Sequence, residues 1–98
     1  MKIKLGKTEQ IHFTGIGGIG MSGLALIMKE LGFRVQGSDI SLNKNIERLK
    51  KNRIKVFIGH KISNLNKTTI LVKSSAIKKN NSEILYCKRK KIPIYSRG

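Results

Sequence analysis

The chain alternates between two hydrophobic rhythms. A short apolar run, Ile11 to Thr14, reads as a buried strand. It leads through a glycine-rich turn into Leu24, Ile27, Met28 and Leu31, spaced as one face of a helix from about Ile19 to Leu31. Gly32 predicts a left-handed cap for that helix, and Phe33 to Ser38 a second strand. Leu42, Ile46 and Leu49 make a second helical stripe, started by Ser41 or Asn43 and stopped near Asn52. Ile54 to Ile58 is a third strand ending in the turn Gly59-His60, and Ile62 and Leu65 suggest a helical turn in an otherwise polar loop. The β-branched run Thr68 to Val72 predicts a fourth strand that passes into Lys73-Ser74-Ser75-Ala76-Ile77. Asn80, Asn81 or Ser82 caps a last helix through Ile84, Leu85 and Cys87 to Lys91. Ile92 to Tyr95 is the final strand, and Pro93 assigns it to a sheet edge. Residues 1–10 carry no pattern and read as a lead-in.

This alternation predicts an α/β domain over residues 11–98: a Rossmann-like, doubly wound parallel sheet of five strands in the order 3-2-1-4-5, with right-handed crossovers. Such sheets bind ligands outside the C-terminal ends of their strands, where the strand order reverses. Those ends carry Gly15 to Gly20, Ser38-Asp39, Gly59-His60 and Ser74-Ser75-Ala76, which should converge on one crevice.

The run Gly15-Ile16-Gly17-Gly18-Ile19-Gly20-Met21 sits where a strand turns into a helix, which makes it an anion-binding corner. Gly15 permits the tight turn, Gly17 lets the backbone approach a phosphate, and Gly20 is expected to let the helix pack closely on the strand. Gly18 belongs to the same turn. Asp39 lies nineteen residues beyond Gly20, at the end of the next strand, where a nucleotide ribose would reach. On the residues alone, a nucleotide-sugar site and an NAD-type regulatory or redox domain both remain open. No G-x-x-x-x-G-K-[ST] run occurs, and the five acidic residues are scattered singly, with no paired-carboxylate site, triad or metal cluster. His12, inside the first strand, reads as a satisfied core residue rather than a ligand. The pattern is one of binding rather than reaction, with no catalytic residue and no metal site in this chain.

Composition changes this picture little. The 98 residues make one small domain, and no apolar run approaches the ~20 residues that span a bilayer. Without a signal-like apolar segment behind the first lysines, the expectation is a cytoplasmic protein. The net charge of +16 invites a nucleic-acid reading, but sixteen of the 21 basic residues are dispersed lysines, and no aromatic residues interleave with arginine as a base-stacking platform. Lysine, isoleucine and asparagine are all encoded by AT-rich codons, which accounts for the bias without a nucleic-acid partner. The single cysteine, Cys87, reads as a reduced, half-buried filler.

Four runs together resemble the N-terminal domain of the UDP-N-acetylmuramate:L-alanine ligase family: His12 to Ala25, Gly37-Ser38-Asp39, Ser74-Ser75-Ala76-Ile77 and Ile92-Pro93-Ile94. The resemblance implies one piece of a three-domain peptidoglycan-synthesis enzyme. In that family ATP, with magnesium, activates the carboxylate of UDP-N-acetylmuramic acid, and the amine of L-alanine attacks the acyl phosphate. The first domain holds the UDP part, and the central and C-terminal domains, which carry the ATP site and the metal, would lie outside this chain. No cofactor is expected in the fragment, which alone would be inactive. Gly15, Gly17, Gly18 and Gly20 would cradle the diphosphate, with the N–H groups of Ile19, Gly20 and Met21 as donors. Ser38 and Asp39 would face the uridine with His60 beside it. Ser74, Ser75 and Ala76 would border the diphosphate and sugar, and Arg97 falls where the family has an arginine after the final strand. The related ligase that reattaches recycled muropeptides shares this substrate domain, but Gly17-Gly18 and Ser74 to Ile77 fit the alanine enzyme better. Lys73 departs from the usually apolar residue before the paired serines.

Overall fold

The computed structural model describes residue 6 and residues 8–97; the first part of the lead-in, residues 1–5 and 7, and Gly98 lie outside the described residues. Five strands, β1 (Gln10–Thr14), β2 (Arg34–Asp39), β3 (Lys55–Ile58), β4 (Ile70–Ser74) and β5 (Ile94–Arg97), form one parallel sheet in the order β3-β2-β1-β4-β5. The helices are α1 (Ile19–Glu30), α2 (Lys44–Lys51) and α3 (Ser82–Arg89), with a 3-10 turn at Ile62–Leu65. The expected class and strand order are those observed. Asn43 caps α2 by accepting from the Ile46 N–H at 2.9 Å, and Asn81 caps α3 by accepting from Glu83 at 2.9 Å. Gly32, at φ 96°, closes α1.

The two faces of the sheet are unlike. Side chains alternate along a strand, so Ile11, Phe13, Val35 and Val72 share one face, where α1 and α2 cover them with Met21, Ala25, Met28, Ile46 and Leu49. On this face Gly37 is the point of closest approach. A Cβ there would lie 2.5 Å from Ile16 Cδ1 and 2.6 Å from the Phe13 carbonyl oxygen. The expected close-packing role of Gly20 therefore belongs to Gly37, since the nearest atom to a Cβ on Gly20 would be in the Arg97 guanidinium, at an ordinary 3.6 Å. The buried stripe of α1 is also displaced from the expected one. Met21, Ala25 and Met28 face the sheet, while Ile27 and Leu31 are exposed, as are Leu42 and Leu85. Short helices with many apolar residues admit more than one stripe, and packing against the sheet selects between them.

The other face carries His12, Thr14, Gln36, Ser38 and Leu71, in register across β2, β1 and β4. Its apolar part, Leu65, Leu71, Ile84 and a fully buried Cys87, packs beneath α3. Its polar part surrounds the carboxylate of Glu83, which is fully buried. Oε1 accepts from Thr14 Oγ1 at 2.7 Å, Ser38 Oγ at 2.8 Å and His12 Nε2 at 2.9 Å. Oε2 accepts from Asn64 Nδ2 at 2.9 Å and the Lys61 N–H at 3.1 Å. Gln36 Nε2 donates to the Asn64 carbonyl at 2.7 Å and so presents its second hydrogen to His12 Nδ1 at 2.8 Å. His12 Nδ1 is thus an acceptor, and the ring's hydrogen sits on Nε2, aimed at Glu83. Burial alone would raise the Glu83 carboxyl; the hydrogen bond and electrostatic pull of His12, with donors from Asn64 and Thr14, outweigh it and lower it from 4.5 to about 2. Burial, and then the Glu83 charge, push the Cys87 thiol up to about 11, which suits an inert filler.

Two outcomes are expected for stability. Gly37→Ala should cost about 1 to 3 kcal/mol, read as a lower midpoint in urea with an unchanged slope, because neither Ile16 nor the Phe13 carbonyl can give way cheaply. Glu83 has a folded-state value below its unfolded one, so its contribution is complete above about pH 4.5 and is lost as pH falls towards about 2. Urea midpoints measured across that window should drop steeply in the unaltered chain. In Glu83→Gln the unfolding free energy should be lower at pH 7 by about 3 kcal/mol, and the midpoints should be nearly flat across the window.

Candidate functional site

Two adjoining cavities open along the C-terminal ends of the strands. The larger, about 350 Å³, is lined by Gly15, Gly17, Gly18, Asp39, Ile40, Asn43, His60, Ser74, Ala76 and Ile77. The smaller, about 220 Å³, is lined by Gly18, Ile19, Gly20, Met21, Ser74, Ser75 and Arg97. Gly18 and Ser74 belong to both, so the two are lobes of one crevice.

The glycine turn between them is pinned from several sides. The Gly15 and Ile16 N–H groups both donate to the Ser38 carbonyl, at 2.9 and 3.0 Å. Gly15 adopts φ +85°, a left-handed turn that side chains disfavour. The Gly17 N–H donates to Asp39 Oδ2 at 2.8 Å, and its carbonyl accepts from Asn45 Nδ2 at 2.9 Å. A Cβ on Gly17 would lie 2.7 Å from the same Asp39 oxygen. With these groups fixed, α1 begins at Ile19 with no side-chain cap and no acidic residue in its first turn. The first bond back into the turn comes from Ser22, to the Gly18 carbonyl. The N–H groups of Ile19, Gly20 and Met21 therefore have no acceptor among the described residues, and the positive end of the helix dipole opens into the smaller lobe. Arg97 and the hydroxyls of Ser74 and Ser75 border the same lobe. Three backbone donors, one guanidinium and two hydroxyls suit a multiply charged anion of diphosphate size.

The larger lobe has a different chemistry. Asp39 lines it, yet both carboxylate oxygens already accept backbone N–H groups, Oδ2 from Gly17 and Oδ1 from Ile40 at 2.7 Å. Its first task is to hold the loop. His60 also lines this lobe, with Nδ1 2.8 Å from Ser38 Oγ. Ser38 is fully buried beneath the crevice and is the one expected site residue that borders neither lobe. The structure brings the rest together: Gly15, Gly17, Gly18, Asp39, His60, Ser74 and Ala76 in the larger lobe, and Ile19, Gly20, Met21, Ser75 and Arg97 in the smaller. Arg97 stands inside β5, paired with Ser74, rather than beyond the last strand, because β4 and β5 both run about two residues later than their apolar patterns suggest. The sequence pattern gives no sign of Glu83 as a partner of this site. Seventy-one residues separate it from His12, and its one local signal, a carboxylate in the first turn after the Asn81 cap, is what any helix start would carry.

Residues 10–98 match the family model described as "Mur ligase family, catalytic domain". The chain is 66% identical over all its 98 residues to the UDP-N-acetylmuramate--L-alanine ligase of Pelagibacter ubique, covering 21% of that protein. It is 50% identical over 92 residues, 94% of this chain, to the enzyme of the same name from Aquifex aeolicus, covering 20% of it. Among solved structures, the UDP-N-acetylmuramate-alanine ligase of Thermotoga maritima superposes with a TM-score of 0.86 at 36% identity, over 90% of this chain and 20% of that one. The UDP-N-acetylmuramate:L-alanyl-gamma-D-glutamyl-meso-diaminopimelate ligase of Neisseria meningitides does so with a TM-score of 0.83 at 31% identity, over 90% of this chain and 28% of that one. The chain spans about a fifth of the length of the curated relatives it matches. On the match across residues 10–98, the chain belongs to the Mur ligase family.

Proposed function

We propose that residues 11–98 hold the UDP part of UDP-N-acetylmuramic acid for a ligase that joins it to L-alanine, acting in the cytoplasm. The observation that carries this reading is the uncapped start of α1, with three unclaimed N–H groups facing Arg97, Ser74 and Ser75 across a lobe of about 220 Å³. The diphosphate would sit there, and the uridine would extend into the larger lobe beside Asp39 and His60, with Ala76 at the border. The alanine-ligase relatives favour this guest over a dinucleotide. Among the described residues no group of three or more His, Cys, Asp or Glu side chains could hold a metal ion. On this reading the ATP and magnesium of the amide-forming step belong to other parts of the ligase, as the family resemblance implies. This chain binds and orients the substrate.

The test is an NMR titration with UDP-N-acetylmuramic acid, with NAD as the control. Amide shifts should centre on Ile19 to Met21, His60 and Ser74 to Ala76, with a Kd on the order of 0.1 to 1 mM because one domain encloses the ligand on one side only. Arg97→Ala should weaken binding about tenfold through loss of a charge-assisted hydrogen bond. Shifts produced by NAD and not by the UDP-sugar would overturn the reading.

A further inference from the structure

Beneath the crevice, the hydrogen bonds around Ser38 leave one consistent direction for every proton. The Ser38 hydroxyl has a single hydrogen, and Glu83 Oε1, an acceptor only, lies 2.8 Å from it. That hydrogen is therefore committed to Glu83, and His12 Nε2, 3.3 Å from Ser38 Oγ and carrying its own hydrogen, leans on the same oxygen as a donor. Ser38 Oγ can then only accept from His60 Nδ1 at 2.8 Å, so Nδ1 must carry the ring's hydrogen. The Glu83 carboxylate, 3.8 Å from the same nitrogen, favours that arrangement. His60 Nε2 has no partner among the described residues, and His60 lines the larger lobe.

We propose that Glu83, acting through Ser38, is a positioning residue that fixes the tautomer of His60, so that the crevice presents an imidazole lone pair rather than an N–H. The inference rests on the nucleotide reading of the crevice and adds a selectivity to it. An unconstrained histidine side chain prefers its hydrogen on Nε2; the relay reverses that preference. The exposed edge then accepts an N–H or O–H from the ligand and offers nothing to a ligand acceptor. The imide N–H of uracil satisfies such a group, whereas cytosine presents a lone pair at the equivalent ring position. His12 is held oppositely by Gln36, with its hydrogen on Nε2, so the chain's two histidines should show opposite tautomers.

Long-range proton–nitrogen spectra of the ¹⁵N-labelled chain at alkaline pH read both rings at once. In the unaltered chain Nδ1 of His60 and Nε2 of His12 should show protonated shifts. Ser38→Ala should move the His60 hydrogen to Nε2 while His12 keeps its own, a change that loosened packing alone would not direct to one ring. The same variant should bind UDP about fivefold more weakly, as for one lost hydrogen bond, with the preference for UDP over CDP reduced. Glu83→Gln should release His60 in the same way, and if that variant does not fold, Ser38→Ala carries the test. A His60 ring protonated at Nε2 in the unaltered chain, or one that stays protonated at Nδ1 in Ser38→Ala, overturns the relay. The expected tautomers together with no response to UDP would uphold the relay and overturn the substrate reading instead.

Discussion

The carboxylate of Glu83 ties together parts of the chain that the sheet alone would leave independent. A buried carboxylate costs several kcal/mol unless donors surround it. Here they come from β1, β2, the Lys61 backbone and the 3-10 turn, while Glu83 itself starts α3. The polar half of one sheet face becomes a single bonded unit in this way. Were any member withdrawn, the remaining groups would stay buried without partners, and that penalty is larger than the net gain of any one bond. The cost of the charge therefore acts as a constraint on geometry. Ser38 must stand over Glu83, and His60 must stand over Ser38.

The opposite face solves a different problem. There the packing is apolar, and the tight contact of Gly37 with Ile16 and the Phe13 carbonyl brings the glycine turn down onto β2. The Ser38 residue that serves the polar network through its side chain also fixes this turn through its carbonyl, which accepts from both Gly15 and Ile16. One residue at the end of β2 thus joins the two faces to the crevice. Asp39, next in sequence, adds the bond to the Gly17 N–H. The result is a turn whose N–H groups are internally engaged up to Gly18, and an open set of donors from Ile19 onward.

How much of this was legible in the sequence follows from the range of the interactions concerned. Strand order and crevice position are readable because the two rhythms and the Gly15 to Gly20 turn are local signals, each contained in a few neighbouring residues. Helix faces were read less well: in α1 the apolar residues outnumber the buried positions, so Ile27 and Leu31 competed with Met21 and Ala25, and only packing decided between them. Arg97 was recognised by resemblance, but its place inside β5 depends on pairing with Ser74, which no local pattern encodes. Glu83 lay beyond reach for the same reason. Its five donors are distributed from His12 to Asn64, and a single glutamate in a helix's first turn gives no sign of them.

The division between backbone and side chains also bears on what the crevice can distinguish. Free N–H groups at a helix start recognise negative charge and little else, so the smaller lobe supplies attraction with low selectivity. Because the turn is already held by Ser38, Asp39 and Asn45, little of that attraction is spent on ordering the protein when an anion arrives. Discrimination among ligands that share a diphosphate must then come from the larger lobe, where the polar side chains are few and one of them, Asp39, is already engaged by backbone donors. His60 is the group there with a free polar atom and a buried support. A network built to satisfy one internal charge is thereby connected to the part of the crevice where a nucleotide base could be told from its alternatives.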